Sequence, residues 1–232
     1  MTTKKALIVR GGWDGHQPVE TSQSIIPFLV SNGYEVRVEE STGVYADRDY
    51  LPTVDVIVQA NTMNVIAKDE VNGLIAAVRS GTGLAGWHGG IADSYRDSVD
   101  YLHLIGGQFA HHPTRTPHDQ LGGRPDDYFV AHTINIVPEM AGHPIVAGIG
   151  DFELTTEQYW VLSDSYNEVL ATTTVAAREF DAWTRPVVVP AIWTRQWGLG
   201  RVFVATPGHG LDVLDNPDVR TIVERGMLWA SR

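Results

Sequence analysis

The sequence contains no cysteine among its 232 residues. That absence excludes disulfide bonds, zinc sites built from thiolates and catalysis by a cysteine nucleophile. Histidine and the carboxylates therefore remain as the side chains able to bind a metal or to carry protons near neutral pH.

Long apolar runs and clusters of basic residues are also missing. No window approaches the roughly 20 apolar residues of a membrane span, and the apolar run within Met1–Arg10 is too short for a signal peptide. With 17 Lys and Arg against 28 Asp and Glu, the formal net charge is −11. Binding of nucleic acid needs clustered cations to neutralise phosphates. We therefore expect a cytoplasmic protein without a nucleic-acid or membrane partner.

The hydrophobic and charged fractions, 43% and 19%, are typical of a globular chain with a substantial core. We expect one domain over residues 1–232. Short apolar runs predict four strands in the first half: Lys5–Arg10, Tyr34–Glu39, Val54–Gln59 and Leu84–Gly86. Helical periodicity between them predicts Val19–Ser31 and Lys68–Ser80. This alternation implies an α/β fold with a parallel sheet and right-handed crossovers.

The second half is less regular. The patterns there predict a helix at Val99–Ile105, a turn at Gly106–Phe109 and a long polar loop up to Pro125. A strand at Tyr128–Val137 is followed by the segment Phe152–Tyr159, to which no element is assigned. Val187–Trp193 and Arg201–Ala205 are predicted as late strands that could form a hairpin, and Pro217–Ala230 as the closing helix. Long loops inside compact domains are usually functional or mobile.

The segment Gly81–Ser94 is the one around which the chain is organised. It predicts a buried strand, a glycine-flanked turn at Trp87–Gly90 and a helix beginning near Asp93. A strand that ends in such a turn before a helix presents one side chain at the carboxyl edge of a sheet, as in nucleophile elbows. Here the presented side chain is His88.

Histidines recur in the other predicted loops, at His16, His112 and His209. Taken singly, each is best explained as a loop histidine bonded to backbone, whereas convergence of the set on one cleft favours a functional site. Neighbouring side chains in an extended segment point in opposite directions. Of His111 and His112 we choose His112, because the residue before a proline is biased to an extended conformation.

Several histidines with a carboxylate could bind a divalent metal such as zinc, manganese or iron. The candidate metal ligands are His88, His112 and His209. No H-E-x-x-H spacing is present, so local sequence does not fix such a site.

Glu157 and Asp93 are the candidate acidic groups for proton transfer. The catalytic candidates are His88, Glu157, His112 and His209. Aromatic faces in clefts often stack on sugar rings, although tryptophan is more often part of the core or its rim. The candidate substrate-binding residues are Trp13, Asp14, His16, Trp87, Asp93, Tyr159 and Trp193.

Taken together, several short motifs resemble those of the ThuA-like, or trehalose-utilisation, family. They are Gly86-Trp-His-Gly89, Gly106-Gly-Gln-Phe-Ala-His-His-Pro113, His143-Pro-Ile145, Thr156-Glu-Gln-Tyr159 and Gly200-Arg-Val-Phe-Val followed by Gly208-His209. The resemblance covers nearly the whole chain. The chain departs from the family in having Thr156-Glu157-Gln158 where Asp-Glu-Leu is common, and in its short N-terminal loop.

The resemblance implies a flavodoxin-like three-layer α/β sandwich with a mostly parallel central sheet, similar to class I glutamine amidotransferases. In those enzymes the elbow holds a cysteine, so glutamine hydrolysis is excluded for this chain. By function, the resemblance implies carbohydrate utilisation, with trehalose, a related disaccharide or its 3-keto derivative as the substrate. The family's motif positions correspond here to His88, His112, Glu157, Tyr159 and His209.

Three functions compete at this point. The first is a sugar-processing hydrolase or lyase that uses His and Glu for acid–base chemistry. The second is a non-catalytic sugar-binding accessory protein, and the third is a metal-dependent hydrolase acting on a non-sugar substrate. A homodimer is the expected assembly.

Overall fold

We describe residues 3–120 and 122–232 in a computed structural model. The chain forms the strands β1 (Lys4–Gly12), β2 (Tyr34–Glu39), β3 (Val56–Thr62), β4 (Gly83–Trp87), β5 (Gly107–His111), β6 (Phe129–Ile136), β7 (Phe152–Glu157), β8 (Trp160–Ser163), β9 (Glu168–Val175), β10 (Val187–Trp197) and β11 (Gly200–Ala205). Its α-helices are α1 (Pro18–Ser31), α2 (Lys68–Arg79), α3 (Gly89–Ala92), α4 (Val99–Ile105), α5 (Leu211–Leu214) and α6 (Pro217–Ala230).

Nine strands form one sheet in the order β2-β1-β3-β4-β11-β10-β9-β6-β7. The first five run in parallel, and the remaining four continue the sheet with antiparallel pairings. The remaining strands, β5 and β8, pair with each other in a separate antiparallel ribbon. This is the mixed three-layer α/β architecture expected for a flavodoxin-like fold.

Alternate side chains of the central strands pack into two hydrophobic cores, one on each face of the sheet. In β1, Ala6 and Ile8 belong to the core that also contains apolar residues of α1 and α6. Leu7 and Val9 belong to the opposite core, with residues of α2 and α4. Because successive side chains of a strand point to opposite faces, a strand covered on both sides must be apolar throughout. That requirement explains the unbroken apolar run at the start of the sequence.

The sequence signals for the ends of α4 and α6 agree with the structure. In α6, the Asn216 side chain accepts hydrogen bonds from the backbone N–H groups of Asp218 and Val219, and Pro217 occupies the first turn. The predicted boundaries of α4 and α6 match the structure. None of the helices in the described parts of the chain combines the length and apolarity needed to cross a membrane.

The predicted turn at Gly106–Phe109 is wrong, since β5 begins at Gly107. A Cβ atom on Gly107 would lie 2.7 Å from the indole ring of Trp193. Glycine is needed at position 107 so that β5 can lie directly on the indole ring. The glycines of this segment had instead been interpreted as a turn. The sequence patterns also did not predict β8 and β9.

The expectation that Trp193 contacts a substrate is wrong. Trp193 in β10 is completely buried, and its Nε1–H donates a 2.8 Å hydrogen bond to the carbonyl oxygen of Ile105. With no exposed surface, the ring has no face to offer a ligand. Its role is to pack the core beneath β5 and the end of α4.

We predict that Trp193→Phe lowers the free energy of unfolding by about 2 kcal/mol or more, because it leaves the buried Ile105 carbonyl without its donor and opens a cavity. Urea denaturation would measure the change. The matched control is Trp13→Phe, at a side chain that is 42% exposed, where we expect a change within about 0.5 kcal/mol. Equal effects of the two substitutions would contradict the structural role of Trp193.

Candidate functional site

His88 occupies a strained turn between β4 and α3. Its backbone angles are φ 47° and ψ −140°, a region that residues with a side chain seldom adopt. The helix begins directly after His88 and ends before Asp93, so the predicted helix start near Asp93 is wrong. The His88 N–H donates a 2.7 Å hydrogen bond to the carbonyl oxygen of Ala205. The turn is thereby tied to the end of β11.

The glycine after His88 makes room for a second histidine. A Cβ atom on Gly89 would lie 2.3 Å from the ring of His16. Because that space is free, the rings of His16 and His88 approach to a centroid distance of 4.6 Å. The sequence Trp-His-Gly-Gly therefore serves two functions, since it turns the chain and admits His16 from the loop after β1.

One hydrogen bond defines the tautomer of His88. Its Nδ1 lies 2.7 Å from the carbonyl oxygen of Thr206, and a carbonyl oxygen can only accept, so Nδ1 carries the proton. Burial, together with the neighbouring His16, lowers the pKa of His88 to about 3. The ring is therefore neutral, and its Nε2 presents a lone pair to the site.

Tyr159 and Glu157 both meet that lone pair. The Tyr159 hydroxyl lies 2.9 Å from His88 Nε2 and donates to it. Burial raises the pKa of Tyr159 well above its usual range, which keeps the hydroxyl protonated. Glu157 Oε2 lies 3.1 Å from the same nitrogen.

Glu157 stands at the end of β7 and is surrounded by histidines. Its Oε2 is 3.2 Å from His209 Nδ1 and 3.8 Å from His16 Nε2. Burial by itself would raise the pKa of Glu157, but the contacts with His16, His209 and His88 outweigh it and hold the pKa well below its usual range. The side chain is thus a buried carboxylate.

Four of these side chains could hold a metal ion together. One donor atom from each of His16, His88, Glu157 and His209 lies within 4.8 Å of the others, and all four residues are buried. The expected ligand set of His88, His112 and His209 therefore changes. His16 and Glu157 take part, whereas His112 lies outside the cluster. We call these four residues the His/Glu cluster.

A cleft of about 310 Å³ opens onto the cluster. It is lined by Trp13, His16, Met63, Asp93, Arg96, Phe109, His112, Gly123, Tyr128, Glu157 and Tyr159. The volume lies at the lower end of the range of small-molecule sites, about 300–1,000 Å³. Aromatic rings form much of its wall and polar groups form its floor. This combination suits a small polar ligand that has apolar faces.

His112 forms part of the cleft wall. Its Nε2 lies 3.7 Å from Glu157 Oε1, and its ring packs on Tyr128 at a centroid distance of 4.1 Å. Its Nδ1 is buried and has no hydrogen-bond partner among the described residues. His111 is exposed and contacts Trp183 instead. Choosing His112 over His111 thus selects the histidine that reaches the cleft.

Other predicted site residues lie elsewhere or are already paired. Asp14 is exposed and does not line the cleft. Trp87 does not form a cleft wall, because it is 3% exposed and packs in the core below His88. Asp93 lines the cleft, but Arg96 donates to both of its oxygens, at 2.5 and 2.7 Å. That pairing leaves Asp93 poorly placed as a free base.

The sequence patterns did not indicate five of the lining residues: Met63, Arg96, Phe109, Gly123 and Tyr128. Arg96 stands three residues after Asp93, a spacing at which a pair was recognisable. Phe109 and Tyr128 flank the segment around His112, but nothing local distinguished them from core aromatics. Met63 follows β3 with a positive φ of 50°, which no sequence signal indicated.

The family model described as ThuA, trehalose utilisation, matches residues 5–230. Among solved structures, a ThuA-like protein from Parabacteroides merdae ATCC 43184 has a TM-score of 0.71 at 14% identity, covering 99% of this chain and 90% of that one. A ThuA-like protein from Bacteroides uniformis ATCC 8492 has a TM-score of 0.69 at 16% identity, covering 98% and 91%.

The fold also occurs within larger proteins. A β-galactosidase from Bacillus circulans sp. alkalophilus matches with a TM-score of 0.57 at 12% identity, covering 99% of this chain and 30% of that one. At such identities the likeness shows the fold alone. No curated protein matches the chain. The family match over nearly all of the sequence, on a fold shared with ThuA-like structures, shows that this chain belongs to the ThuA family of trehalose utilisation.

Proposed function

We propose that the protein is an enzyme of carbohydrate utilisation that converts a disaccharide, or its 3-keto derivative, by proton transfer in the cleft above the His/Glu cluster. The observation that carries the proposal is the pairing of Glu157 with His112. The buried Glu157 carboxylate and the partly exposed His112 ring face each other in a ligand-sized cleft, with Glu157 Oε1 and His112 Nε2 3.7 Å apart.

The contacts separate the roles of the histidines. Both ring nitrogens of His88 are engaged, Nδ1 by the Thr206 carbonyl oxygen and Nε2 by the Tyr159 hydroxyl. His209 Nδ1 is held between His88 and Glu157. These two rings are therefore suited to hold Glu157 in place. The His112 side chain is 18% exposed, and its Nε2 lies 3.7 Å from Glu157 Oε1, too far for a hydrogen bond, so we assign proton transfer to His112 and Glu157.

A 3-keto sugar would suit this arrangement. Its carbonyl acidifies the C–H bond on the neighbouring carbon, and the Glu157 carboxylate removes that proton. The electron pair then forms a carbon–carbon double bond while the glycosidic C–O bond breaks, and the leaving oxygen takes a proton from the imidazolium form of His112. Addition of water across the double bond completes the net hydrolysis. Such a reaction needs positioned acid and base groups more than a strong nucleophile.

The cleft walls fit a sugar ring. Trp13 is 42% exposed at the mouth of the cleft, and Phe109 and Tyr128 line its sides. Aromatic faces pack well on the C–H surfaces of sugars, while the polar floor can bind hydroxyl groups. Among the described lining residues the cation is Arg96, and Asp93 neutralises it. The described walls thus offer no unpaired cation to an anionic ligand.

We predict that His112→Asn lowers kcat by about 10² to 10⁴-fold, the usual contribution of a general acid or base, with a smaller change in KM. Turnover of trehalose and of 3-keto-trehalose would be followed by chromatography. His118→Asn, at an exposed histidine of the same loop, is the control and should retain activity. Full activity in His112→Asn would contradict the assignment, and sugar binding without any turnover by the wild type would identify an accessory binding protein instead.

We further predict that Trp13→Ala raises KM by about 2- to 10-fold, because an aromatic contact contributes roughly 0.5–1.5 kcal/mol, while kcat changes little. Steady-state kinetics on the same sugars would measure both constants. Tyr166→Ala serves as the control, since Tyr166 is 61% exposed and does not line this cleft. An unchanged KM for Trp13→Ala would remove Trp13 from the sugar site.

A further inference from the structure

We infer that the His/Glu cluster is a binding site for one divalent transition-metal ion, with His16 Nε2, His88 Nε2, His209 Nδ1 and one oxygen of Glu157 as its ligands. The inference deepens the proposed function and rests on the same cleft. Its test uses no sugar, however, so each of the two proposals can fail without the other.

The first argument is a conflict between lone pairs. His88 Nδ1 donates to the Thr206 carbonyl oxygen, so Nε2 is an acceptor, and the Tyr159 hydroxyl lies 2.9 Å from it. That nitrogen lies 3.1 Å from an oxygen of the Glu157 carboxylate, which also can only accept. Two acceptors face each other at hydrogen-bond distance in a buried site. A cation between them would turn this repulsion into two bonds.

The second argument is distance. Zinc and similar ions bind imidazole nitrogen and carboxylate oxygen at about 2.0–2.2 Å, so the ligands of a tetrahedral site are roughly 3.4 Å apart. Here the His88–Glu157, His209–Glu157 and His209–His88 donor atoms are separated by 3.1, 3.2 and 3.3 Å. His16 Nε2 lies slightly further away, 3.8 Å from Glu157. A small movement of the His16 ring would complete the set.

The third argument is that hydrogen bonds to the second ring nitrogen orient two of the histidine ligands. Metal-binding histidines usually donate their second ring nitrogen to an oxygen, which fixes the tautomer. His88 does so to Thr206 at 2.7 Å, and His16 Nδ1 lies 3.2 Å from Thr62 Oγ1. Both rings are thus held with Nε2 toward Glu157.

The fourth argument is charge. Buried charges in proteins are paired or coordinate metals. Glu157 is 6% exposed, and the described residues provide no Lys or Arg as its partner. Its neighbours are histidines, of which His88 donates its Nδ1–H to Thr206 and therefore offers Glu157 no proton. A divalent cation would supply the missing positive charge.

The donor set indicates which ions fit. Three imidazoles and one carboxylate suit Zn²⁺, Fe²⁺ and Mn²⁺, and no thiolate is present to favour softer ions. The His16 and Glu157 side chains also line the cleft. An ion held there would reach the ligand directly and could polarise a carbonyl oxygen or a bound water.

We predict that chelator-treated wild-type protein binds one equivalent of Zn²⁺ or Mn²⁺ per chain in calorimetric titrations, and that Mg²⁺ at the same concentration binds much more weakly. His88→Ala, Glu157→Gln and His209→Gln should each weaken binding by more than about 100-fold. His112→Ala is the matched control, because it removes a cleft histidine outside the cluster, and it should bind as the wild type does. Circular dichroism would confirm that each variant is folded.

No uptake by the wild type would overturn the inference. So would wild-type affinity in the folded ligand variants, or a loss in His112→Ala as large as in His88→Ala. If His88→Ala fails to fold, Glu157→Gln and His209→Gln decide the question. Sugar turnover by a protein that takes up no metal would leave the proposed function standing without the metal site.

A further variant tests the hydrogen bond that orients the His16 ring without removing a metal ligand. Thr62→Val keeps the shape of the side chain but removes the oxygen bonded to His16 Nδ1. We predict about 10- to 100-fold weaker Zn²⁺ binding with unchanged stoichiometry, as is usual when such a partner is lost. Thr221→Val, on the exposed part of α6, is the control. Unchanged affinity in Thr62→Val would remove His16 from the ligand set.

Discussion

The hydrogen bond from His88 Nδ1 to the Thr206 carbonyl oxygen is the interaction on which the site depends. It links the turn after β4 to the segment after β11, two neighbouring parallel strands of the sheet. It also decides which nitrogen of His88 faces Glu157. A ring rotated or protonated otherwise would present a donor to the site instead of a lone pair. The strained backbone of His88 is held in place by the adjacent bond from its own N–H to Ala205.

The burial of Glu157 imposes a second constraint. Moving a carboxylate away from water is costly unless other groups replace its hydration. Three histidines surround Glu157, and they arrive from the loop after β1, the turn after β4 and the segment after β11. Open α/β sheets place ligands at the carboxyl ends of their parallel strands for this topological reason. The site is therefore rigid at its floor, while the loop that carries His112 and Tyr128 forms a wall.

Glu157 reaches the site from a different part of the sheet than the three histidines. It belongs to β7, at the far edge of the sheet from β4. The neighbouring strand β6 pairs with β9 only through Asn135 and Ile136, whereas Phe129–Ile134 pairs with β7. This hairpin thus leaves the main sheet, and its end brings Glu157, opposite Phe129, to the elbow. Other ThuA-like structures share this architecture at 14–16% identity, so the fold is maintained by many different sequences.

The sequence by itself determined the class of fold, the position of the elbow and the family. Apolar runs of strand length alternate with helical periodicity, and these patterns act locally, so β1 to β4 and α6 were readable from neighbouring residues. The histidines at strand ends were readable for the same reason. The distances between them were not, because they depend on how strands far apart in the chain pack together. Tertiary structure alone decided that His16 joins the cluster instead of His112, that Arg96 neutralises Asp93, and that Trp193 lies under β5 in the core. In each case the deciding contact joins side chains whose proximity no local sequence pattern indicates. Some of these contacts also need a space, such as the one beside Gly89, that exists only once the chain has folded.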